Sequence, residues 1–221
     1  MAKMTSEVGT RSQRRAALIL ASRLFAYPDE ALVADLPVMK EVAASLPADW
    51  RTLAEDYLSA ISGRELLDLQ SEYVSIFDMK RRCCLYLTYY LNGDTRRRGM
   101  ALWRFQETYR MAGWQVNHGE LPDFLPVLLE FAAAGSDEEL AARELLEEHR
   151  EGLEVLQAAL VKFGSPAAVV ATLVLSMLPA LTPEQQEAAQ RLVAQGPPTE
   201  VVGLMNLEPF SAVDESIGAR A

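Results

Sequence analysis

The chain has 221 residues, half of them hydrophobic and 24% charged, enough to bury a core in one generous domain or two small ones. Its 21 basic and 31 acidic residues give a net charge of -10, which excludes wholesale nucleic-acid binding because the phosphate backbone would repel it. Two cysteines, adjacent at Cys83 and Cys84, exclude a disulfide framework and any zinc ribbon or finger.

Class follows from side-chain shape. There are 31 Ala and 32 Leu against 16 Val, 4 Ile and 9 Thr. Unbranched side chains lose little rotamer freedom in a helix and β-branched ones lose more, so an all-α fold is expected. The basic N-terminus carries Lys3, Arg11, Arg14, Arg15 and Arg23 but no uninterrupted apolar run, so it reads as a flexible arm over 1–13 rather than a signal peptide. Helices are then expected at 14–27, 29–45 (broken at Pro37), 48–61, 64–77, 84–91, 94–112, 122–134, 137–163, 166–178 and 183–195. Ser62 with Glu65, Ser136 with Glu139 and Thr182 with Gln185 fit the capping box. Phe163-Gly164-Ser165-Pro166 reads as a helix stop followed by a restart. The apolar stretch 167–178 covers about 18 Å at ~1.5 Å per residue, too short for a hydrocarbon core of about 30 Å, so it is expected to be a buried helix. Together these make a single bundle-like domain of about nine to ten helices over 14–195, cytoplasmic, with a disordered or loosely docked tail over 196–221.

Charge is unevenly distributed. Residues 79–110 hold eight basic and two acidic side chains, and 119–160 hold eleven acidic and two basic. Such runs are solvated helix faces or, read more sharply, one surface for a basic partner and another for a phosphate or an acidic surface. Catalytic patterns are missing: no phosphate-binding glycine loop, no H-E-x-x-H, and no Glu-x-x-His pair beside either His118 or His149. Adjacent Cys83 and Cys84 point apart on a helix and cannot chelate as C-x-x-C does. The chain is expected to be a binder rather than an enzyme, with no cofactor or metal of its own.

Two segments stand out from ordinary helix. Tyr73, Ile76 and Phe77 recur at i, i+3 and i+4 as an aromatic stripe, and Asp78 sits at the helix end, where a carboxylate opposes the helix dipole and needs a partner such as Arg81, Arg82 or Arg98. In Glu120-Leu121-Pro122-Asp123-Phe124-Leu125-Pro126, two prolines four apart read as a helix start with Glu120 and Asp123 at its positive end. Two anions in a rigid loop beside aromatic surface suit capture of an Arg or Lys from a peptide.

These segments carry a resemblance. The run Glu72-Tyr73-Val74-Ser75-Ile76-Phe77-Asp78, then Leu85-Tyr86-Leu87, Gly93-Asp94-Thr95-Arg96-Arg97-Arg98-Gly99 and 120–130, preceded by Leu24-Phe25-Ala26-Tyr27-Pro28, resembles the nitrate reductase molybdenum-cofactor assembly chaperones, the delta-subunit family of redox-enzyme maturation chaperones. The resemblance implies an all-α cytoplasmic chaperone that binds the apo catalytic (alpha) subunit of respiratory nitrate reductase, including its basic amphipathic N-terminal segment. It implies assistance to molybdenum-cofactor insertion before membrane attachment, with the cofactor carried by the client. By motif position it implies a peptide-binding surface of Tyr73, Ile76, Phe77, Asp78, Tyr86, Glu120, Pro122, Asp123 and Phe124. Arg97 and Arg98 serve as docking or structural residues that support the fold by pairing with Asp78. Phe124 stands where related chaperones often carry a polar residue, which favours apolar contact with the client. The competing reading is a non-catalytic structural or regulatory subunit that stays in a respiratory complex. Either reading fits a monomer or a dimer.

Overall fold

Thr10 sets the first helix. Its hydroxyl accepts the backbone N–H of Gln13 at 3.2 Å, while the Gln13 side chain accepts the N–H of Thr10 at 2.9 Å. This reciprocal cap opens α1 (Arg11–Phe25), so the helix begins inside the segment expected to be a loose arm. The structure, a computed structural model, describes residues 9–116 and 119–195. The expectations for 1–8 and for the tail over 196–221 lie outside the described residues. Among the described residues there are eleven α-helices and no strand, the all-α class that the composition implies.

Asp29 caps α2 (Glu30–Ala44) by accepting from Leu32 N–H at 2.8 Å. Pro37 lies inside this helix without interrupting it, contrary to the expected break. One missing backbone donor is tolerated on a helix whose other turns stay bonded. Next come α3 (Ala48–Ile61) and α4 (Leu66–Tyr73), which leads directly into a wide π-turn over Val74–Asp78 closed by Met79 N–H to the Val74 carbonyl, 3.0 Å. A short 3₁₀ turn, Arg81–Cys83, precedes α5 (Leu87–Asn92) and α6 (Arg97–Met111). Then follow α7 (Leu125–Ala134), α8 (Ser136–Glu148), α9 (Arg150–Lys162), α10 (Ala168–Ser176) and α11 (Pro183–Gln195).

Of the three expected capping boxes, the one at Thr182 and Gln185 forms. Ser62 instead closes α3, its hydroxyl donating back to the Leu58 carbonyl at 2.5 Å, a local alternative always open to serine at a helix end. Gly135 takes the N-cap position before α8 and Ser136 becomes the first helical residue. Gly164 ends α9 as expected. At φ +66° it lets Ser165 N–H reach the Leu160 carbonyl and its own N–H reach the Val161 carbonyl.

The segment expected as one helix over 137–163 is two. The chain turns at His149, between α8 and α9, where Nδ1 donates to the Leu145 carbonyl at 2.9 Å and the ring meets Phe105 edge-on. Burial holds the His149 imidazole below its ordinary pKa near 6.5, so the neutral ring fits this apolar joint.

α1 packs along α7, and α10 crosses α1, α3 and α9. α9 also carries α5 and α11. Ser22 ties α1 to α7 by donating to the Pro126 carbonyl at 2.7 Å. The uncharged α10 is core: Val170, Ala171, Leu173 and Val174 are buried. Among the described residues, no helix is long and apolar enough to cross a membrane.

Gly152 on α9 allows one close approach. A Cβ there would lie 2.8 Å from the Tyr90 Cβ. The Tyr90 hydroxyl in turn donates to the carbonyls of Arg82 and Cys84, fixing the path into α5. Gly152→Ala is expected to lower stability by about 1–3 kcal/mol through overpacking, in spite of the better helix propensity of alanine, as read by urea denaturation.

Candidate functional site

The end of α1, the π-turn and the entry to α7 meet at a cleft of about 260 Å³ lined by Tyr27, Tyr73, Phe77, Asp78, Leu85, Tyr86, Glu120 and Phe124. One wall is aromatic and built across the chain. Tyr27 meets Tyr73 edge-on at 5.2 Å between ring centroids, Tyr73 leans on Phe77 at 4.8 Å, and Phe77 meets Phe25 edge-on at 6.1 Å. Such pairs fix ring orientation as well as burying surface. The π-turn adds one residue to the helical ring over this stripe. Tyr73, Ile76 and Phe77 all line a neighbouring niche with Pro28, Leu32 and Ile61, and Tyr73 and Phe77 reach the cleft as well, whereas Ile76 does not. Wide turns of this kind recur at functional sites.

The facing wall comes from two short segments, 84–86 and the turn at 122–124 closed by Phe124 N–H to the Leu121 carbonyl at 3.1 Å, joined in an isolated antiparallel bridge between Tyr86 and Phe124. Leu87 N–H donates to the Asp123 carbonyl at 3.0 Å and Leu125 N–H to the Leu85 carbonyl at 2.8 Å. The two rings sit side by side, 5.2 Å apart. The turn leaves Phe124 lining the cleft while Asp123 is buried.

Asp123 is fully buried. Its Oδ2 accepts the Thr88 hydroxyl at 2.6 Å and the Thr88 N–H at 3.1 Å, which caps the first turn of α5 from outside its own sequence. Arg98 closes the network. Its Nε donates to the Thr88 hydroxyl oxygen at 3.2 Å, and Nη2 lies 3.8 Å from Asp123 Oδ2. The Arg98 guanidinium also lies 5.9 Å from the ring centres of Tyr86 and Tyr89. Asp123 is therefore internal and Arg98 half-buried, and Pro122 is buried with its carbonyl accepting from the Tyr109 hydroxyl at 2.8 Å. The expected pairing with Asp78 does not form. Arg98 is engaged with Asp94 and Asp123, and Arg82 donates to the Val193 and Ala194 carbonyls. Among the described residues, Asp78 makes no ion pair, and Arg97 is exposed on α6 away from the cleft.

The exposed rim of the cleft is negative. Glu120 accepts a hydrogen bond from the Tyr86 hydroxyl at 3.3 Å. Burial first, then the charges of Asp78, Tyr86 and Glu120, hold the Tyr73 phenol well above its ordinary range. Burial and Glu120 together push Tyr86 up to about 12. Both phenols thus stay neutral donors, in a field that favours a cation. Among the described residues, no group of three or more His, Cys, Asp or Glu side chains is placed to hold a metal ion. Both thiols are pushed up by burial, Cys83 to about 11, which keeps them unreactive.

Tyr27 and Leu85 join the site beyond the residues expected from sequence. Tyr27 precedes the Pro28 that follows α1, and Leu85 alternates with Tyr86 and Leu87 in the extended segment; those two patterns were the available signals.

The sequence profile described as "Nitrate reductase delta subunit" matches residues 40–166, more than half of the chain and both bridged segments of the cleft. The chain belongs to the nitrate reductase delta subunit family. Delta-subunit relatives include the probable nitrate reductase molybdenum cofactor assembly chaperone NarJ of Bacillus subtilis, 33% identical over 153 residues that cover 64% of this chain and 76% of that protein. The nitrate reductase molybdenum cofactor assembly chaperone NarJ of Escherichia coli is 37% identical over 119 residues, covering 52% of this chain and 50% of that one. The nitrate reductase-like protein NarX of Mycobacterium tuberculosis is 37% identical over 148 residues, covering 67% of this chain. The chain spans 22% of the length of NarX. A crystal structure of a candidate redox enzyme maturation protein from Archaeoglobus fulgidus shares the fold, with a TM-score of 0.55, 23% identity and coverage of 79% of this chain and 97% of that one.

Proposed function

We propose that this delta-subunit family member is a client-specific assembly chaperone, a non-enzyme with no cofactor of its own. It binds the apo catalytic subunit of a nitrate reductase through that subunit's basic amphipathic N-terminal segment, and holds it for molybdenum-cofactor insertion in the cytoplasm, before membrane attachment. The observation that carries this reading is the cleft, which joins an aromatic wall to the carboxylates of Asp78 and Glu120 at its rim. Its volume lies just below the range of about 300–1,000 Å³ that takes drug-sized ligands. It therefore suits a few side chains of a segment lying across its mouth, with apolar anchors inward and basic residues on the rim. Names of relatives from Bacillus subtilis and Escherichia coli support the client assignment.

Titration calorimetry with a synthetic peptide of the catalytic subunit's N-terminus tests this. Binding with a negative heat-capacity change is expected, weakening as salt rises because two rim carboxylates contribute. A folded chain that leaves the peptide unbound at millimolar concentration overturns the proposal.

A further inference from the structure

Within 79–110 the cleft is lined by Leu85 and Tyr86, and none of the basic side chains of this run lines it. The solvent side of the run is the outer face of α6, a helix at the edge of the molecule that packs chiefly against α5. Helices of this kind normally turn charge to water. This one presents Met100, Trp103 and Met111, which are 71%, 57% and 77% exposed. At about 100° per residue the three side chains fall within one side of the helix, so they form a strip along its axis. Arginines flank the strip. Arg96 and Arg97 are exposed and, among the described residues, make no ion pair. Arg104 bridges to Glu148, and Arg110 holds Glu107 at 2.6 Å. These last two pairs are surface pairs, which phosphate groups displace at little cost. Phe105 and Tyr109, on the opposite side, are buried against His149 and Phe131 and fasten the helix to the body.

We propose that the outer face of α6 is a peripheral docking surface for an anionic lipid bilayer. A convex helix with a central Met–Trp–Met strip offers no pocket for a partner's side chain. It does match a soft interface into which apolar groups sink while cations remain at headgroup level. Tryptophan is the side chain suited to that depth, because its ring is apolar and its N–H needs a polar partner. The overall charge of -10 opposes approach to an anionic surface. Screening within about 8–10 Å leaves the near face to decide, so the charge distribution also orients the molecule with α6 towards the lipid. Each unpaired arginine strengthens binding to such a surface by about fivefold.

The test uses the full chain and vesicles of phosphatidylglycerol with phosphatidylcholine, read by co-sedimentation and tryptophan fluorescence. Expected are binding to the mixed vesicles but not to pure phosphatidylcholine, a blue shift that Trp103→Gln abolishes, and release in high salt. Arg96→Glu with Arg97→Glu should reduce binding at least tenfold, whereas Arg191→Glu on α11 should leave it unchanged. The client-peptide titration should be the same in all of these variants, which separates this surface from the cleft. Failure to bind the anionic vesicles, or binding that ignores the Arg96 and Arg97 reversals, overturns the proposal. So does a concentration-dependent dimer, formed without lipid and lost in the same double variant, which would assign the face to an acidic surface of a second copy.

Discussion

Asp123→Ala is expected to destabilise the fold by about 2–4 kcal/mol and to lose client-peptide binding as a consequence. The carboxylate, fully buried, satisfies the buried Thr88 N–H and hydroxyl and faces Arg98. Deletion leaves a helix-capping donor unpaired and a half-buried guanidinium with only the exposed Asp94 as counter-charge, and each loss is of the order of 1–2 kcal/mol. The strand-like crossing of 84–86 with 122–124 then loosens, and with it the Tyr86–Phe124 wall. Asp123→Asn keeps one carbonyl oxygen for Thr88 and should lie between the wild type and the alanine variant in urea denaturation. A variant with unchanged stability and lost binding would show that the carboxylate meets the client directly, against its position in the interior.

Phe77→Ala should act in the opposite proportion. Its ring is only partly buried and touches Phe25 and Tyr73 at the cleft wall. Truncation removes an aromatic anchor of the kind that dominates small interfaces, about 2–3 kcal/mol or 30- to 150-fold in affinity. The folding cost should stay below that of a fully buried phenylalanine, about 3–5 kcal/mol. Calorimetry with the client peptide and urea denaturation, run side by side, distinguish the two variants. Equal affinity for wild type and Phe77→Ala would remove the π-turn from the binding surface.

The helical class was legible because it depends on local preferences, the abundance of Ala and Leu and a 3.6-residue apolar period, that most of these helices obey. Failures occurred where tertiary contacts choose between local options of similar energy. Nothing near His149 breaks a helix by itself; the break follows from packing its ring against Phe105. Pro122 and Pro126 are equally good helix openers. The pairing of 122–124 with 84–86 settles the matter, so α7 starts at Leu125 with Pro126 in its first turn. That same choice sends Asp123 inward and Phe124 outward, which no spacing rule reveals. The aromatic stripe was visible, but its period assumed an α-helix. Over Val74–Asp78 the turn is wider, and of the three only Tyr73 and Phe77 extend from their common niche into the cleft.

The isolated bridge between Tyr86 and Phe124 has a kinetic implication. The cleft draws on residue 27, on 73–78, on 85–86 and on 120–124, so nearly all of its contacts span long stretches of chain. Contacts of that kind form late, after the loops between them have closed. During synthesis, a chain that has emerged only as far as α6 carries the aromatic stripe with Leu85 and Tyr86 but lacks Glu120 and Phe124. Under the proposed chaperone role, such an intermediate is expected to bind the client peptide less well than the complete chain. On that proposal, completion of this protein's own fold comes before it engages another unfinished one.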